Sequence, residues 1–264
     1  MQNGTTPPRI AVVGAGAVGG YYGAKLHAAG GDVHFLLRGD YEAAREQGLY
    51  VRERESGWEV TVPGGRIYRE AADIGPCEWV IVAAKATANP ELPEAVAPLL
   101  GADTRILTLQ NGMGNAEFFA ERFGAGRILG GLCFVCINRT GPARIENLMR
   151  GRVTIGDYTA GRMDRAGAMA ARFNEAGVKC NATASLQEAL WRKLCWNIPF
   201  NGLAIAAGGV TTDHLMASGP LRQLARALME EIRAAAGAEG FSIEDDFLEG
   251  QMRVTEGMGA YRPS

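Results

Sequence analysis

The chain has 264 residues, 47% of them hydrophobic and 21% charged, with a formal net charge of −2. This composition belongs to a globular protein and excludes a disordered, collagen-like or disulfide-framework chain, while the length holds one large domain or two of moderate size. The near balance of charge gives no electrostatic case for nucleic acid or for an anionic membrane surface as partner.

The chain opens on MQNGTTPP, which breaks both helix and strand and has neither the basic nor the apolar part of a signal peptide. No apolar run approaches the ~20 residues of a membrane-spanning helix, so the expectation is a cytoplasmic protein. Residues 9–13, RIAVV, read as a short buried strand. GAGAVGG follows, then a helical stretch YYGAKLHAAG stopped by Gly30 and Gly31, then the apolar strand VHFLLR. This is β-α-β with short turns, so its two strands are expected to be parallel neighbours. Residues 49–70 read as short alternating strands. The βα rhythm then resumes: WVIVAAK as strand, a helical stretch around 89–100, RILTLQN as strand, and NAEFFAERFG as helix. Such alternation predicts a doubly wound, mostly parallel sheet of Rossmann type. A strand-rich stretch at 127–156 and a helix at 162–176 complete this half.

Within LGGLCFVCIN, Cys133 and Cys136 are three apart on a predicted buried strand. Alternation places them on opposite faces, which argues for core thiols and against a metal site. The five cysteines are expected as thiols of a reducing compartment, and the three histidines lack ligand spacing. His34 lies within an apolar strand and reads as a core histidine.

From about residue 185 the periodicity is helical throughout, which predicts a division into an α/β domain, 1–184, and a smaller all-helical domain, 185–264. PLRQLARALMEEIRAAA is amphipathic enough to pack within its own domain or against a second copy, so a homodimer stays open.

Gly14-Ala15-Gly16-Ala17-Val18-Gly19 matches G-x-G-x-x-G, and its place between strand and helix gives the match its weight. Gly14 permits the tight turn, Gly16 the approach of a pyrophosphate, and Gly19 the packing of helix on strand. The helix N-terminus offers free N–H groups to the anion. Enzymes that use NAD place a carboxylate after the second strand to hold the ribose 2′-hydroxyl. Here Leu36-Leu37-Arg38-Gly39 supplies a guanidinium instead, which favours the 2′-phosphate of NADP(H). Lys85 and Asn111 close the next two predicted parallel strands, so both are expected beside Gly14 and Arg38 in one crevice.

The second informative segment is LWRKLCWNIPFN, residues 190–201. Lys193, Asn197 and Asn201 follow at i, i+4 and i+8, one line along a helix otherwise apolar apart from Arg192. A helix this apolar is expected to be buried, with Pro199 kinking it between the asparagines. Buried polar groups need partners, and a ligand in an interdomain cleft would supply them.

Together GAGAVGG with Arg38, AAKA around Lys85, LQNGMG around Asn111 and ALWRKLCWNIPFN resemble the 2-dehydropantoate 2-reductase (ketopantoate reductase) family, from about residue 9 onward. The resemblance implies a Rossmann domain followed by a helical one. It also implies reduction of 2-dehydropantoate to (R)-pantoate with NADPH, in pantothenate synthesis. By the same resemblance Lys193 is the catalytic lysine, and Asn197 and Asn201 bind substrate. Lys85 and Asn111 border nicotinamide and substrate, Arg38 holds the 2′-phosphate, and the terminal YRPS supplies a substrate-binding serine, Ser264. The family chain continues to a glutamate of the catalytic site, which implies a further segment here; Glu256 precedes the serine and does not match. The family often has an asparagine after the polar helix, where IAAGGVTTDHL has none. A reductase of another 2-keto acid and a non-catalytic NADP-binding sensor are the competing readings; the lysine–asparagine row argues against the sensor.

Overall fold

The computed structural model describes residues 7–262. Its contacts divide the chain into two compact units that meet at Leu186 and Gln187.

In the first unit, β1 (Arg9–Val13), α1 (Ala17–Ala28) and β2 (Asp32–Leu36) form the expected β-α-β, with Val12 opposite Phe35 in a parallel pair. There follow α2 (Tyr41–Gln47), β3 (Leu49–Glu53), β4 (Glu59–Val62), β5 (Ile67–Tyr68) and β6 (Cys77–Val82). The predicted helical stretch after β6 is mostly 3-10 turns around a short α3 (Leu92–Val96), because Pro90, Pro93 and Pro98 each remove a helical donor. Next come β7 (Leu100–Thr108), α4 (Asn115–Phe123), β8 (Ile128–Gly141), β9 (Arg144–Asp157), α5 (Asp164–Glu175) and β10 (Lys179–Thr183).

Among the described residues the strands make one ten-stranded sheet in the order β4-β3-β9-β8-β7-β6-β1-β2-β5, with β10 also on β9. From β8 through β5 every pairing is parallel. These strands are apolar on both faces, as in Ile10–Val13 and Val80–Val82, because helices cover the sheet. The core joins Val12, Phe35 and Leu107 of the sheet to Tyr22 of α1 and Phe173 of α5, all nearly inaccessible. β8 and β9 form a long antiparallel hairpin.

Two elements escaped the sequence reading, α2 and β10. The Cys133/Cys136 argument also needs correction. Register shifts on both sides of Cys136 interrupt the alternation on which it rests, and both thiols are half-buried rather than core. Among the described residues no cluster of three or more His, Cys, Asp or Glu is arranged to hold a metal. His34 is buried, its ring bonded to Asp32 at 3.1 Å and Tyr68 at 3.3 Å.

A charged cluster lies under α1. Lys25 Nζ is 2.9 Å from Glu53 Oε1, with both side chains at most 5% exposed. Ser56 donates to Glu53 Oε2 at 2.6 Å, and the Tyr21 hydroxyl donates to Oε1. Burial alone would raise the Glu53 carboxyl, but the bonds from Ser56, Tyr21 and Lys25 outweigh it and bring the pKa down to about 2. A carboxylate depressed in the folded state stabilises fully above its unfolded pKa near ~4.3 and loses that contribution as pH falls towards the folded value. Thermal melts should therefore show wild type losing stability from pH ~4.3 down to about 2 more steeply than Glu53→Gln. Parallel profiles would remove Glu53 from the acid response.

The second unit contains α6 (Leu186–Trp196, which starts on the last residue of the first unit), α7 (Leu203–Ala206), α8 (Thr212–Ala217), α9 (Gly219–Ala238) and α10 (Asp245–Glu256). Its core gathers Cys195, Phe200, Leu215, Met229 and Leu248. Trp196 Nε1 donates to the Thr255 hydroxyl at 2.9 Å, so the buried indole is satisfied. Arg226 ties α9 to α10 through Asp245 and Glu249, and the Tyr261 backbone is held to α8 by three hydrogen bonds with Thr212. Among the described residues no helix is long and apolar enough to cross a membrane.

Candidate functional site

The glycine turn does in the structure what its spacing implies. Gly14 follows β1 with φ +84°, and a Cβ there would lie 2.5 Å from the backbone nitrogen of Ala84. Gly19 packs α1 on the sheet, where a Cβ would lie 3.0 Å from Ala83 Cβ and 2.6 Å from the Gly14 carbonyl. Gly16 differs: a Cβ would meet nothing within 4 Å, so its missing side chain leaves open space. It caps α1, whose first turn (Ala17, Val18, Gly19) has no acidic residue and no side-chain cap. The N–H groups of a helix start, with no carboxylate in its own first turn, suit a phosphate.

These glycines yield a paired prediction. Gly14→Ala combines strain at positive φ with a backbone clash and should destabilise the fold. Gly16→Ala should leave the melting temperature near wild type. Its Cβ would enter the space of a bound pyrophosphate and cost roughly 1–3 kcal/mol, or about 5- to 150-fold in dinucleotide affinity. Melting curves and NADPH fluorescence titrations check both. Equal affinity for Gly16→Ala and wild type would place the pyrophosphate elsewhere.

A cavity of about 230 Å³ opens at the carboxyl ends of β1 and β2. Gly14, Ala15 and Gly16 form its floor; Leu37, Ala88, Leu92 and Ala95 give it apolar walls; Arg38, Asp40, Arg139 and Arg144 bring charge. The Arg38 guanidinium is two-thirds exposed and pairs with Glu91. Such an exposed pair is worth about 0–1 kcal/mol, so its partner is easily exchanged for a phosphate. A partly apolar cavity lined by cations beside the start of α1 suits the adenosine half of a phosphorylated dinucleotide. Ala17, Val18 and Gly19 lie in α1 just beyond the lining.

Lys85 and Asn111 follow the carboxyl ends of β6 and β7, which are paired neighbours, and both are exposed. Neither lines the cavity. A chain of amides fixes their loops. Thr108 Oγ1 donates to Gln110 Oε1 at 3.0 Å, Gln110 Nε2 to Asn89 Oδ1 at 2.8 Å, and Asn89 Nδ2 to Asn115 Oδ1 at 2.9 Å. Asn115 in turn donates to the Asn111 carbonyl at 3.1 Å.

In the helical unit Lys193 is only 6% exposed, on the last turn of α6. The disturbance expected at Pro199 takes the form of a wider turn rather than a kink in one α-helix. Residues 197–202 make a π turn, because Pro199 has no N–H for the carbonyl four residues back and its ring crowds that carbonyl. The wider turn keeps the two asparagines together, Asn201 Nδ2 donating to Asn197 Oδ1 at 3.5 Å. Asn201 Oδ1 is buried with no hydrogen-bond partner, an acceptor shaped for a donor. Ser264 lies outside the described residues.

Sequence reasoning missed Asp40, Arg139 and Arg144. Asp40 had a local signal, since DYEAARE starts a helix with Asp and Glu in the right places. The two arginines come from the β8–β9 hairpin, about a hundred residues away, and only the topology brings them to the cavity.

Comparison with known proteins agrees with this geometry. The family model described as "Ketopantoate reductase PanE/ApbA" matches residues 10–160, and "Ketopantoate reductase PanE/ApbA C terminal" matches 185–264. A 2-dehydropantoate 2-reductase of Nostoc sp. is 40% identical over 97% of this chain and 81% of its own length. The crystal structure of 2-dehydropantoate 2-reductase from Geobacter metallireducens superposes with a TM-score of 0.92 at 43% identity, covering 97% of this chain and 85% of that one. The enzyme of that name from Methylococcus capsulatus gives 0.86 at 31% identity, covering 97% and 82%. With both halves of the chain matched by family models and a relative 40% identical over 97% of it, the chain belongs to the ketopantoate reductase family.

Proposed function

We propose that the chain reduces 2-dehydropantoate to (R)-pantoate with NADPH, the reductive step of pantothenate synthesis. The observation that carries this reading is the buried Lys193 followed by two amides, one of them with an unpartnered buried acceptor. A lysine and paired amides suit a small 2-keto acid bearing a hydroxyl and a carboxylate.

When bound, NADPH supplies a hydride to the keto carbon. The protein's part is to hold the dinucleotide, orient the acid and meet the charge that develops on oxygen. Gly14 to Gly19 and the start of α1 take the pyrophosphate, and Arg38 takes the 2′-phosphate. Asn111 borders the nicotinamide, and Lys85 attracts the substrate carboxylate. Lys193 Nζ donates to the carbonyl oxygen and transfers its proton as that oxygen becomes a hydroxyl. Asn197 and Asn201 orient the substrate, with Asn201 Oδ1 accepting from its hydroxyl, and Ser264 adds a further substrate contact. In this reading residues 1–184 serve the cofactor and 185–264 the substrate, in a cytoplasmic enzyme that works on small molecules and forms a homodimer.

The test is NADPH consumption with 2-dehydropantoate set against simpler 2-keto acids. A kcat/KM highest for 2-dehydropantoate is expected. A higher value for a keto acid lacking the hydroxyl would move the substrate assignment, and tight NADPH binding without turnover on any keto acid would leave a sensor.

A further inference from the structure

The cavity holds a carboxylate that a phosphorylated dinucleotide should not tolerate. Asp40 lines it, two residues beyond Arg38 and in a left-handed conformation with φ 58°. In enzymes that use NAD, a carboxylate following the second strand accepts from the ribose hydroxyls and repels a 2′-phosphate. A bare Asp40 would act in that sense, against Arg38.

Asp40 is not bare. It makes no side-chain cap to α2, which it precedes. Its Oδ2 instead accepts from the Arg139 guanidinium and from the backbone N–H of Ala143 at 3.2 Å. Ala143 is itself at positive φ, in the turn between β8 and β9, so one carboxylate staples the hairpin to the end of β2. Arg144, the first residue of β9, lines the same cavity with its guanidinium 5.1 Å from the Tyr50 ring. With Asp40 matched by Arg139, the lining can take up an anion through Arg144 and through Arg38, whose exposed pair with Glu91 is easily exchanged. A phosphate monoester, which carries about −1.5 to −2 at neutral pH, is such an anion.

We propose that Arg139 is a specificity-determining residue: by holding Asp40 it masks the one carboxylate of the cavity and sets the preference for NADPH over NADH. Arg139 does this through Asp40 and is a positioning residue, not a catalytic one. The inference rests on the reading of the cofactor as NADP(H), and it concerns the first unit alone.

The experiment measures Kd for NADPH and NADH, by fluorescence titration, in wild type, Arg139→Ala, Asp40→Asn and the double variant. The two dinucleotides differ only in the phosphate, so general damage moves both constants and cancels in their ratio. Arg139→Ala should lower the NADPH preference by about tenfold, a figure set by a partly solvated unit charge. Asp40→Asn alone should not lower it, and adding Asp40→Asn to Arg139→Ala should restore most of it, since asparagine keeps an acceptor for Ala143 without the charge. An unchanged ratio in Arg139→Ala, or a double variant as poor as the single, overturns the proposal while the cofactor reading stands. A wild type without NADPH preference overturns the cofactor reading, and this inference with it. Should Arg139→Ala not fold, Arg139→Gln carries the same test.

Discussion

Lys193→Ala is expected to lower kcat by about 10²- to 10⁴-fold, the range lost with a general acid, while the NADPH Kd stays close to wild type. The reasoning runs from burial to chemistry. Lys193 sits on the last turn of α6, 6% exposed, in a segment whose neighbours Cys195 and Trp196 belong to the core of the helical unit. A lysine held there is a costly choice for packing alone, since an alkyl side chain would fill the same volume without a charge to desolvate. If it serves the carbonyl oxygen, its loss removes an interaction that strengthens as charge develops, so kcat falls more than KM rises. Lys193→Arg separates two roles. A guanidinium keeps the positive charge but does not give up a proton near neutral pH, so turnover should remain low although the charge is restored. Single-turnover measurements and NADPH titrations on both variants decide the matter. Near wild-type kcat in Lys193→Ala would remove the residue from the mechanism, and a loss confined to KM would make it a substrate anchor only.

The parts of this protein that could be read from its sequence are those in which neighbouring residues decide local structure. β1, the glycine turn and α1 were legible because Val12 and Val13 favour a strand, Gly14 permits the turn at positive φ, and the largely apolar run to Leu26 suits a buried helix. The burial of Lys193 and the nearness of Asn197 and Asn201 were legible for the same reason, being matters of spacing within one segment. What was not legible depends on encounters at a distance. Arg139 and Asp40 are ninety-nine positions apart and meet only because β8 and β9 fold back past the end of β2. The interrupted alternation at Cys136 comes from pairing with β9, which the strand's own residues do not announce. The π turn lies between these cases. Pro199 forecast a disturbance, but whether the chain kinks or widens is settled by what Phe200 and Leu203 must reach in the core. β10, as KCNAT, is short and half polar, and it becomes a strand because β9 offers it a free edge.

Arg165→Ala should cost about 3–5 kcal/mol of stability, the amount typical when one partner of a buried ion pair is removed. Arg165 lies on α5 and Asp157 at the end of β9, with side chains 7% and 0% exposed. The contact is two-pronged: Nε donates to Oδ2 at 2.6 Å, and a second guanidinium nitrogen donates to Oδ1. A third nitrogen reaches the Gly126 carbonyl, and Asp157 Oδ1 also accepts from the Thr159 backbone N–H at 3.0 Å. Remove the arginine, and a carboxylate with no access to water keeps one backbone donor against its charge. The cost is the desolvation of that charge rather than the value of the lost bonds, which yields a second expectation. Arg165→Met together with Asp157→Leu removes both charges at similar volume, and it should be far less damaging than Arg165→Ala although it breaks the same contacts. Denaturant unfolding at neutral pH measures both, read on the transition of the first unit where two are resolved. Because neither residue lines the cavity, NADPH affinity well below the transition should hold in both variants. A loss under about 1 kcal/mol for Arg165→Ala would mean that water reaches Asp157 and the pair behaves as a surface one. A double variant as unstable as the single would instead locate the stability in the hydrogen bonds that join α5 to β9.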